Sequence, residues 1–362
     1  MRAAIARRGL ASGETPVVLM VSGGSDSTAL AYLASEMARA GELGAVAMLH
    51  VNHRLRGDDS DADARFVEKL AALLDIPLFM CEIDVAAQAA RTGGNLEAVA
   101  RSERYLAAKE ALESLCRHAG SPLSDGRIFT AHTADDRAES FYMRSIVGTG
   151  PGGFRSMRYE NGPVVRPLLD ASREELRDYL RKRQEDGAPC ATDDEGALWR
   201  EDATNAHTDR FRAYVRHEIV PRAKARNPQL LDTLTRTMNL IADEDDYLEG
   251  VARTALGEHV SWTTPGAPGC DPAWEDGFSV APAFGDVARP VARRALALAL
   301  QRMLGPDARI EAASVEAVLD AYQDGAPRGG YVTNIQGNLA VSANKRGVLV
   351  EPMSAFRARR KK

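Results

Sequence analysis

The sequence predicts an α/β protein whose N-terminal part is a parallel sheet with helices on both faces. Short apolar runs alternate with longer segments of helical spacing, which is the βαβα order typical of such sheets. Polar segments follow the apolar runs, as expected where parallel strands end at a ligand-binding edge. In chain order the predicted elements are strand Val17–Val21, helix Thr28–Ala40, strand Ala45–Val51, helix Asp61–Leu74, strand Leu78–Ile83, helix Leu96–Arg117 and strand Ile128–Ala131.

A glycine loop joins the first predicted strand to the first predicted helix. A strand, a glycine turn and a helix aim free backbone N–H groups, with the positive end of the helix dipole, at one point where an anion can bind. Glycine permits positive φ and a close backbone approach, and serine hydroxyls add donors. The residues that we expect to hold phosphate are Ser22, Gly23, Gly24, Ser25, Asp26 and Ser27.

This loop carries a carboxylate and no lysine. A Walker-type loop needs the pattern GxxxxGK[ST], and the sequence contains no Gly-Lys dipeptide, so that class is excluded. Asp26 would repel phosphate unless a divalent cation or a protonated amine stood between them. The loop therefore implies a cation, with Mg²⁺ as the expected one. A polar turn that only caps the helix is the alternative for the six residues taken alone.

Length and composition predict two domains, because 362 residues with 44% hydrophobic content exceed one typical domain. A helix is expected to start after Ser172, since Ser172 and Glu175 stand at capping-box spacing. Asn227-Pro228 breaks the chain, and a long helix over Gln229–Glu249 is expected to bridge to the remainder. There the pattern predicts helices over Val291–Leu304 and Ala312–Tyr322 and a hairpin-bearing β segment over Gly330–Val350.

Several spaced motifs resemble one known family. An SGGxDS loop after a first strand is the signature of the N-type ATP pyrophosphatases, or PP-loop enzymes, and within them the sequence is similar to the tRNA(Ile)-lysidine synthetases over roughly the first 230 residues. The further matching segments are Leu49–Arg56, Asn95–Arg101, Arg104-Tyr105, Ala131–Glu139, Gly148–Gly150, Arg166–Leu169 and Asp202–Asn205. The sequence departs from the family's usual His, Gln and Asn at Thr133, Arg137 and Ala213.

The resemblance implies ATP-dependent ligation of L-lysine onto C2 of the wobble cytidine of the tRNA(Ile) with anticodon CAU. An adenylated base would form with release of pyrophosphate, and lysine would then displace AMP to give lysidine. The implied catalytic residues are Asp26 as the base, Arg101 on an ATP phosphate, and Asp136. Asp136 or Glu139 would hold the ammonium groups of lysine, and Asp26 and Asp135 would hold Mg²⁺.

The resemblance also implies the fold class, an α/β parallel-sheet PP-loop ATPase domain of the adenine nucleotide alpha hydrolase-like type. A bridging helix and a smaller, mainly helical C-terminal domain would follow. The expected bounds are residues 1–226 for the PP-loop domain, 227–250 for the bridging helix, and 251–362 for a tRNA-binding domain with a basic tail. A solvated tail is the alternative for the terminal basic run Arg357–Lys362.

Net charge and hydropathy limit the kinds of partner that we expect the protein to bind. A net charge of −5 excludes a protein that coats nucleic acid uniformly. Cations are nevertheless concentrated between Asp209 and Asn227, where we expect Arg212, Arg216 and Arg222 to contact tRNA phosphates, a solvated face being the alternative. No apolar run approaches the ~20 residues of a membrane span, so we expect no membrane partner and a cytoplasmic location. The sequence shows no sign of an obligate protein partner, and it leaves open whether the protein forms a homodimer.

Two other functions stay open at this point. Another PP-loop tRNA-modifying enzyme, for thiolation or amidation, would need reactive cysteines or a glutaminase partner. Neither pattern is evident, because the four cysteines are scattered without a CxxC spacing, which also argues against a zinc or iron–sulfur centre. They are Cys81, Cys116, Cys190 and Cys270. The third hypothesis is a non-catalytic RNA-binding relative, against which the intact phosphate loop speaks.

Overall fold

The computed structural model of the protein describes residues 1–52, 58–92, 96–201, 211–262, 277–305 and 308–360. The chain forms two compact units, Met1–Ala242 and Asp243–Lys362. The division falls inside one long helix, Leu230–His259, which confirms the helix predicted after Asn227-Pro228 and continues beyond its predicted end. None of the helices in these ranges combines the length and the hydropathy that a membrane crossing needs.

The elements predicted in the first unit are confirmed, with ends that differ by a few residues. Its strands, within the described ranges, are β1 (Val17–Met20), β2 (Val46–Asn52), β3 (Leu78–Glu82), β4 (Arg127–Phe129), β5 (Glu160–Asn161) and β6 (Val164–Val165). Its helices there are α1 (Arg2–Arg8), α2 (Ser25–Arg39), α3 (Asp58–Leu74), α4 (Val85–Thr92), α5 (Leu96–Ala119), α6 (Ala134–Val147), α7 (Arg173–Glu185), α8 (Phe211–Tyr214), α9 (Val220–Arg226) and the start of α10 (Leu230–His259). A π-helical turn, Val215–Ile219, joins α8 to α9.

The strands of the first unit form one sheet, which has six strands in the part of the chain that is described, in the order β3-β2-β1-β4-β6-β5. All neighbouring pairs are parallel except β5 with β6. Because β1 lies between β2 and β4, the strand order reverses at β1. The strands β2 and β3 extend the sheet on one side of β1, and β4, β6 and β5 extend it on the other. Open α/β sheets bind ligands at such a switch point, beyond the carboxyl ends of the strands. The segments that follow β1 and β4 therefore border the same crevice.

Apolar layers cover both faces of β1, because side chains along a strand point alternately to the two faces. Val17 and Leu19 are buried in one cluster with Leu30 of α2. Val18 is buried in another cluster with Ala108 of α5. Burial on both faces explains why β1 is apolar throughout, and it leaves the ends of the strands as the place for polar chemistry.

The second unit is an antiparallel sheet with helices packed on it. Its strands, where described, are β7 (Val260–Trp262), β8 (Phe278–Val280), β9 (Tyr322–Gln323), β10 (Ala326–Pro327), β11 (Val332–Ile335), β12 (Leu339–Asn344) and β13 (Gly347–Pro352). Its further helices are α11 (Arg289–Leu304), α12 (Ala312–Leu319) and α13 (Met353–Arg360). The main sheet has the order β11-β12-β13-β8-β7, and β9 pairs with β10. Leu296 and Leu300 of α11 share one buried cluster with Val341 and Val350 of the sheet.

The prediction of a mainly helical C-terminal domain is wrong, because a five-stranded antiparallel sheet runs through this unit and shares its core with the helices. The two helices predicted there are present, and the predicted hairpin over Gly330–Val350 is one part of the sheet. The strands of the five-stranded sheet that escaped prediction, β7 and β8, have three residues each. Three residues are too few for a two-residue alternation to be recognised. Residues 263–276, most of the Gly- and Pro-rich stretch between these strands, lie outside the described residues.

Candidate active site

The loop after β1 turns the chain into α2 as predicted. Gly23 has a φ of +92°, in the left-handed region that favours glycine, and Gly24 is the N-cap of α2. The Ser27 hydroxyl donates to the Gly24 carbonyl at 3.0 Å and accepts from the Ser22 backbone N–H at 3.2 Å. The N–H groups of the first turn of α2 have no acceptor within the helix. The loop therefore has the geometry of an anion site at a helix N-terminus.

A second segment of the chain braces this loop from outside. The backbone N–H of Arg200 donates to the Gly23 carbonyl at 2.9 Å, and the Thr28 hydroxyl donates to the same carbonyl at 3.2 Å. The guanidinium of Arg200 is itself held by Asp63 and Asp193, each at 3.1 Å. The position of the phosphate loop thus depends on contacts with residues far away in the sequence.

The segment after β4 starts α6 with a capping box between Thr133 and Asp136. The backbone N–H and the hydroxyl of Thr133 donate to Asp136 Oδ2 at 2.9 and 3.0 Å. The residue Asp136 is only 7% exposed, and its other oxygen, Oδ1, faces guanidinium groups from other elements. Thr133, where the resembled family usually has His, therefore fixes the orientation of the Asp136 carboxylate.

Arg173 joins the loop after β1 to the segment after β4. It is the first residue of α7, whose capping box at Ser172 confirms the predicted helix start. Its Nε atom lies 3.1 Å from Asp26 Oδ2, and its Nη2 atom lies 3.6 Å from Asp136 Oδ1. Its backbone N–H donates to Asp135 Oδ2 at 2.7 Å. The three predicted aspartates therefore lie together, and Arg173, which no motif had marked, holds them.

Arg212 and Arg216, which are predicted to contact tRNA, pair with carboxylates of α6. The Nε and Nη2 atoms of Arg212 lie 2.8 Å from Glu139 Oε2 and 3.0 Å from Asp136 Oδ1. The Nε atom of Arg216, in the π-helical turn, lies 2.6 Å from Glu139 Oε1. Glu139 is 1% exposed, so the two guanidinium groups neutralise a buried carboxylate. π-Helical turns are found often at functional sites.

The third arginine predicted to contact tRNA lies apart from the carboxylates. Arg222 has a side chain 79% exposed and pairs with Glu218 at 2.6 Å on the surface. Lys224, two residues further along α9, points back to the site, with its Nζ atom 2.6 Å from Asp135 Oδ1. Both oxygens of Asp135 are therefore engaged by groups of the chain, one by Lys224 and the other by the backbone of Arg173.

The two aspartates that are predicted to hold Mg²⁺, Asp26 and Asp135, are not equally suited to do so. Carboxylate oxygens are the hard ligands that Mg²⁺ prefers, and Asp26 stands beside the phosphate loop, so Asp26 fits an ion that bridges to phosphates. Asp135 fits such an ion only if Lys224 leaves it. Within the described ranges, the one group of three ligand atoms lying within 4.8 Å of one another is in the second unit and contains neither aspartate. Among the described residues, Asp26 and Asp135 therefore remain the candidate carboxylates for a metal here, Asp135 only after Lys224 has left it.

Burial and neighbouring cations shift the pKa values of the two facing carboxyls in opposite directions. Burial raises the pKa of Asp26, and Arg173 opposes this only in part. Burial also acts to raise the pKa of Asp136, but Arg173 and the Thr133 N–H outweigh it and hold that pKa below its usual range. Burial lowers the pKa of His132 to about 4, so its ring is neutral at pH 7. Carboxyls with separated pKa values are typical of acid–base sites.

Arg101 lies at the margin of this cluster. It is exposed on α5, and its guanidinium lies 5.1 Å from the ring centroid of Tyr105. Its charge contributes to the lowered pKa of His132. No ion pair among the described residues joins it to Asp26 or Asp136. The motif residues His53–Arg56, Asn95 and Asp202–Asn205 lie outside the described residues.

Comparison with known proteins gives a consistent set of relatives. Residues 3–223 match the PP-loop domain family. Similar proteins named tRNA(Ile)-lysidine synthase include that of Thermus thermophilus, 37% identical over 82% of this chain and 50% of that protein. The protein of Dehalococcoides mccartyi is 31% identical over 71% and 52%, and that of Symbiobacterium thermophilum is 33% identical over 84% and 59%. The chain thus spans little more than half the length of these curated relatives.

Proposed function

The chain belongs to the PP-loop domain family, and on that basis we propose that it ligates L-lysine onto C2 of the wobble cytidine of the tRNA(Ile) with anticodon CAU. ATP is the nucleotide that the family implies, and the named relatives supply the substrate pair. One observation carries the proposal. A phosphate loop and three aspartates, Asp26, Asp135 and Asp136, meet at the switch point of a parallel sheet, bridged by one arginine.

The first step is the adenylation of the base. The cytidine O2 attacks the α-phosphate of ATP, and the bond from that phosphorus to pyrophosphate breaks. The loop Ser22–Ser27 takes the pyrophosphate, because donors aimed at developing negative charge stabilise the transition state more than the ground state. Asp26 would hold Mg²⁺, which when bound screens the phosphates from this carboxylate. Arg101 stays our proposed contact to an ATP phosphate.

The second step is the attack of the lysine amine on C2, with departure of AMP. An amine of pKa ~10.4 is neutral in roughly one molecule in a thousand at pH 7, a cost of about 4 to 5 kcal/mol, so a carboxylate must take its proton. Asp26, whose pKa burial raises, suits that base. Asp136 and Glu139 would hold the ammonium charge, at the oxygens that Arg212 and Arg216 contact in the free chain.

The tRNA contacts divide into two groups. Arg222 is exposed and can contact a phosphate directly. Arg212 and Arg216 are engaged by Glu139 in the free chain, so a phosphate would compete with that carboxylate or take their remaining N–H groups. We propose that residues 251–362, which include the arginines of α13, take further parts of the tRNA. A tRNA substrate implies a cytoplasmic location.

The cysteines do not favour a sulfur-transfer function. Burial raises the pKa of each of the three cysteines in the described ranges, which keeps them as unreactive thiols at pH 7. They are Cys81, Cys116 and Cys190. Cys270 lies outside the described residues.

Incorporation of labelled lysine tests the proposal. A tRNA(Ile) transcript with a CAU anticodon is incubated with the protein with and without ATP, beside the methionine tRNA that shares this anticodon. We expect ATP-dependent label in the isoleucine tRNA alone. AMP and pyrophosphate released without label would keep the adenylation step and reject lysine as the nucleophile.

A further inference from the structure

The phosphate loop lacks a cation of its own, and this is the starting point for a further residue assignment. The loop contains Asp26 and no Lys or Arg. When the bond between the α-phosphate and the leaving group breaks, its electron pair stays with pyrophosphate, whose charge becomes more negative by one. Backbone N–H groups and hydroxyls stabilise part of that charge. A side-chain cation from another element would stabilise the rest together with Mg²⁺, and three arginines among the described residues contact the loop.

The first arginine, Arg173, is already occupied by carboxylates. It contacts Asp26 at 3.1 Å and Asp136 at 3.6 Å, and both of these side chains are largely buried. Moving Arg173 to a phosphate would leave two partly buried carboxylates without this cation, which is costly. Arg173 therefore organises the aspartates.

The second arginine, Arg200, is occupied in the same way. Its guanidinium contacts Asp63 and Asp193 at 3.1 Å, and these side chains are only 12% and 7% exposed. Its backbone N–H also holds the Gly23 carbonyl. Arg200 therefore braces the loop and is not available to a ligand.

The third arginine, Arg177, differs from the other two. It lies one helical turn after Arg173 on α7, and its Nε atom is 3.4 Å from the hydroxyl of Ser25, the first residue of α2. Its carboxylate partner among the described residues is Glu201, at 3.3 Å, and the Glu201 side chain is 71% exposed. Such exposed pairs contribute about 0 to 1 kcal/mol and break easily. The ring of Trp199, 5.5 Å from the guanidinium, supports the side chain in this position.

We propose that Arg177 is a polyphosphate-binding residue that contacts the β- and γ-phosphates of ATP and the pyrophosphate that leaves. The assignment rests on the proposed function and names a residue that the signature loop does not contain. A planar guanidinium suits phosphate oxygens because it can donate two parallel hydrogen bonds. Arg177 would exchange its exposed partner Glu201 for phosphate, with little loss elsewhere.

The test compares Arg177→Gln with Arg181→Gln. Arg181 lies one turn further along α7, is also near Trp199, at 5.9 Å, and pairs only with exposed carboxylates in the described part of the chain. Binding of MgATP and of magnesium pyrophosphate is measured by calorimetry without tRNA or lysine. We expect Arg177→Gln to weaken both about tenfold or more, Arg177→Lys to weaken them less, and Arg181→Gln to leave them unchanged. Unchanged thermal unfolding midpoints would confirm that the variants are folded.

Equal weakening by Arg177→Gln and Arg181→Gln, or no weakening by Arg177→Gln, would overturn the assignment. Because lysine and tRNA are absent, the result is separable from the proposed function. If Arg177→Gln loses pyrophosphate affinity and Arg181→Gln does not, while the wild-type protein incorporates no lysine, the result would support the assignment of Arg177 and reject lysine ligation. A wild-type protein that binds neither MgATP nor pyrophosphate would overturn both.

Discussion

The Nε atom of Arg173 lies 3.1 Å from the carboxylate of Asp26, although 147 positions separate the two residues in the chain. The same guanidinium reaches Asp136 at 3.6 Å. One side chain therefore ties the phosphate loop to the start of α6, and the two carboxylates that it joins have pKa values shifted in opposite directions. The chemistry that we propose depends on this tie, and several expected outcomes follow from the contacts around it.

Asp26→Asn is expected to abolish lysine transfer and to leave the fold intact. The amide has nearly the same shape, but it can neither accept the proton of an amine nor hold Mg²⁺ as a carboxylate does. Labelled-lysine turnover and the thermal unfolding midpoint are measured together, with Asp178→Asn on the surface of α7 as the control. More than a tenth of normal turnover in Asp26→Asn would remove Asp26 from any essential role.

Arg216→Gln is expected to lower the free energy of unfolding by about 2 kcal/mol, because Glu139 is buried and would keep Arg212 as its one ion-pair partner among the described residues. Arg222→Gln is the matched control, since Arg222 pairs on the surface and should cost less than about 1 kcal/mol. The double variant Arg216→Gln/Glu139→Gln should recover part of the free energy of unfolding that Arg216→Gln loses. Urea unfolding measures both values. Equal effects of the two arginine variants would contradict burial as the cause.

Lowering the pH from 7 to 5 is expected to destabilise the protein through His132. Burial lowers the pKa of His132 to about 4 in the folded chain, from 6.5 in an exposed histidine. Between these values the unfolded chain binds more protons, so stability falls as the pH falls, by about 2 kcal/mol between pH 7 and pH 5. Urea unfolding of wild type and His132→Gln at both pH values measures this. Equal losses in the two proteins would show that His132 does not contribute.

Two substitutions of Arg137 separate the contribution of side-chain packing to the stability of the first unit from that of a buried charge. Its side chain is wholly buried and donates to the Tyr159 hydroxyl at 3.2 Å and to the Asn239 side chain at 3.1 Å, and burial lowers its pKa. Arg137→Ala should cost about 3 kcal/mol by leaving a cavity. Arg137→Met, which keeps much of the volume, should cost less than Arg137→Ala, and the remaining cost measures the lost hydrogen bonds and the lost ion pair with Asp170, 3.7 Å away. If the two variants unfold at the same urea concentration, the hydrogen bonds outweigh the packing.

The predictions that held rest on short patterns. The strand, turn and helix around Gly23 and the capping box at Ser172 were found because each depends on residues a few positions apart. For Asp136, the capping contact with Thr133 is local, whereas its ion pairs come from distant elements and no pattern predicted them. For Arg212, the local charge run marked the residue as a candidate tRNA contact, which stays a prediction, and its ion pair with Glu139 lay outside any local pattern.

By itself, the sequence determined the alternation of strands and helices in the first unit, the phosphate loop and the places where helices begin, because hydrogen bonds and hydrophobic periodicity act over a few residues. Only the tertiary structure decided which cation lies on which carboxylate, since Arg173 reaches Asp26 and Arg216 reaches Glu139 only after the sheet has brought distant elements together. It also decided the five-stranded sheet of the second unit, where strands of three residues are specified by their partners and not by their own composition.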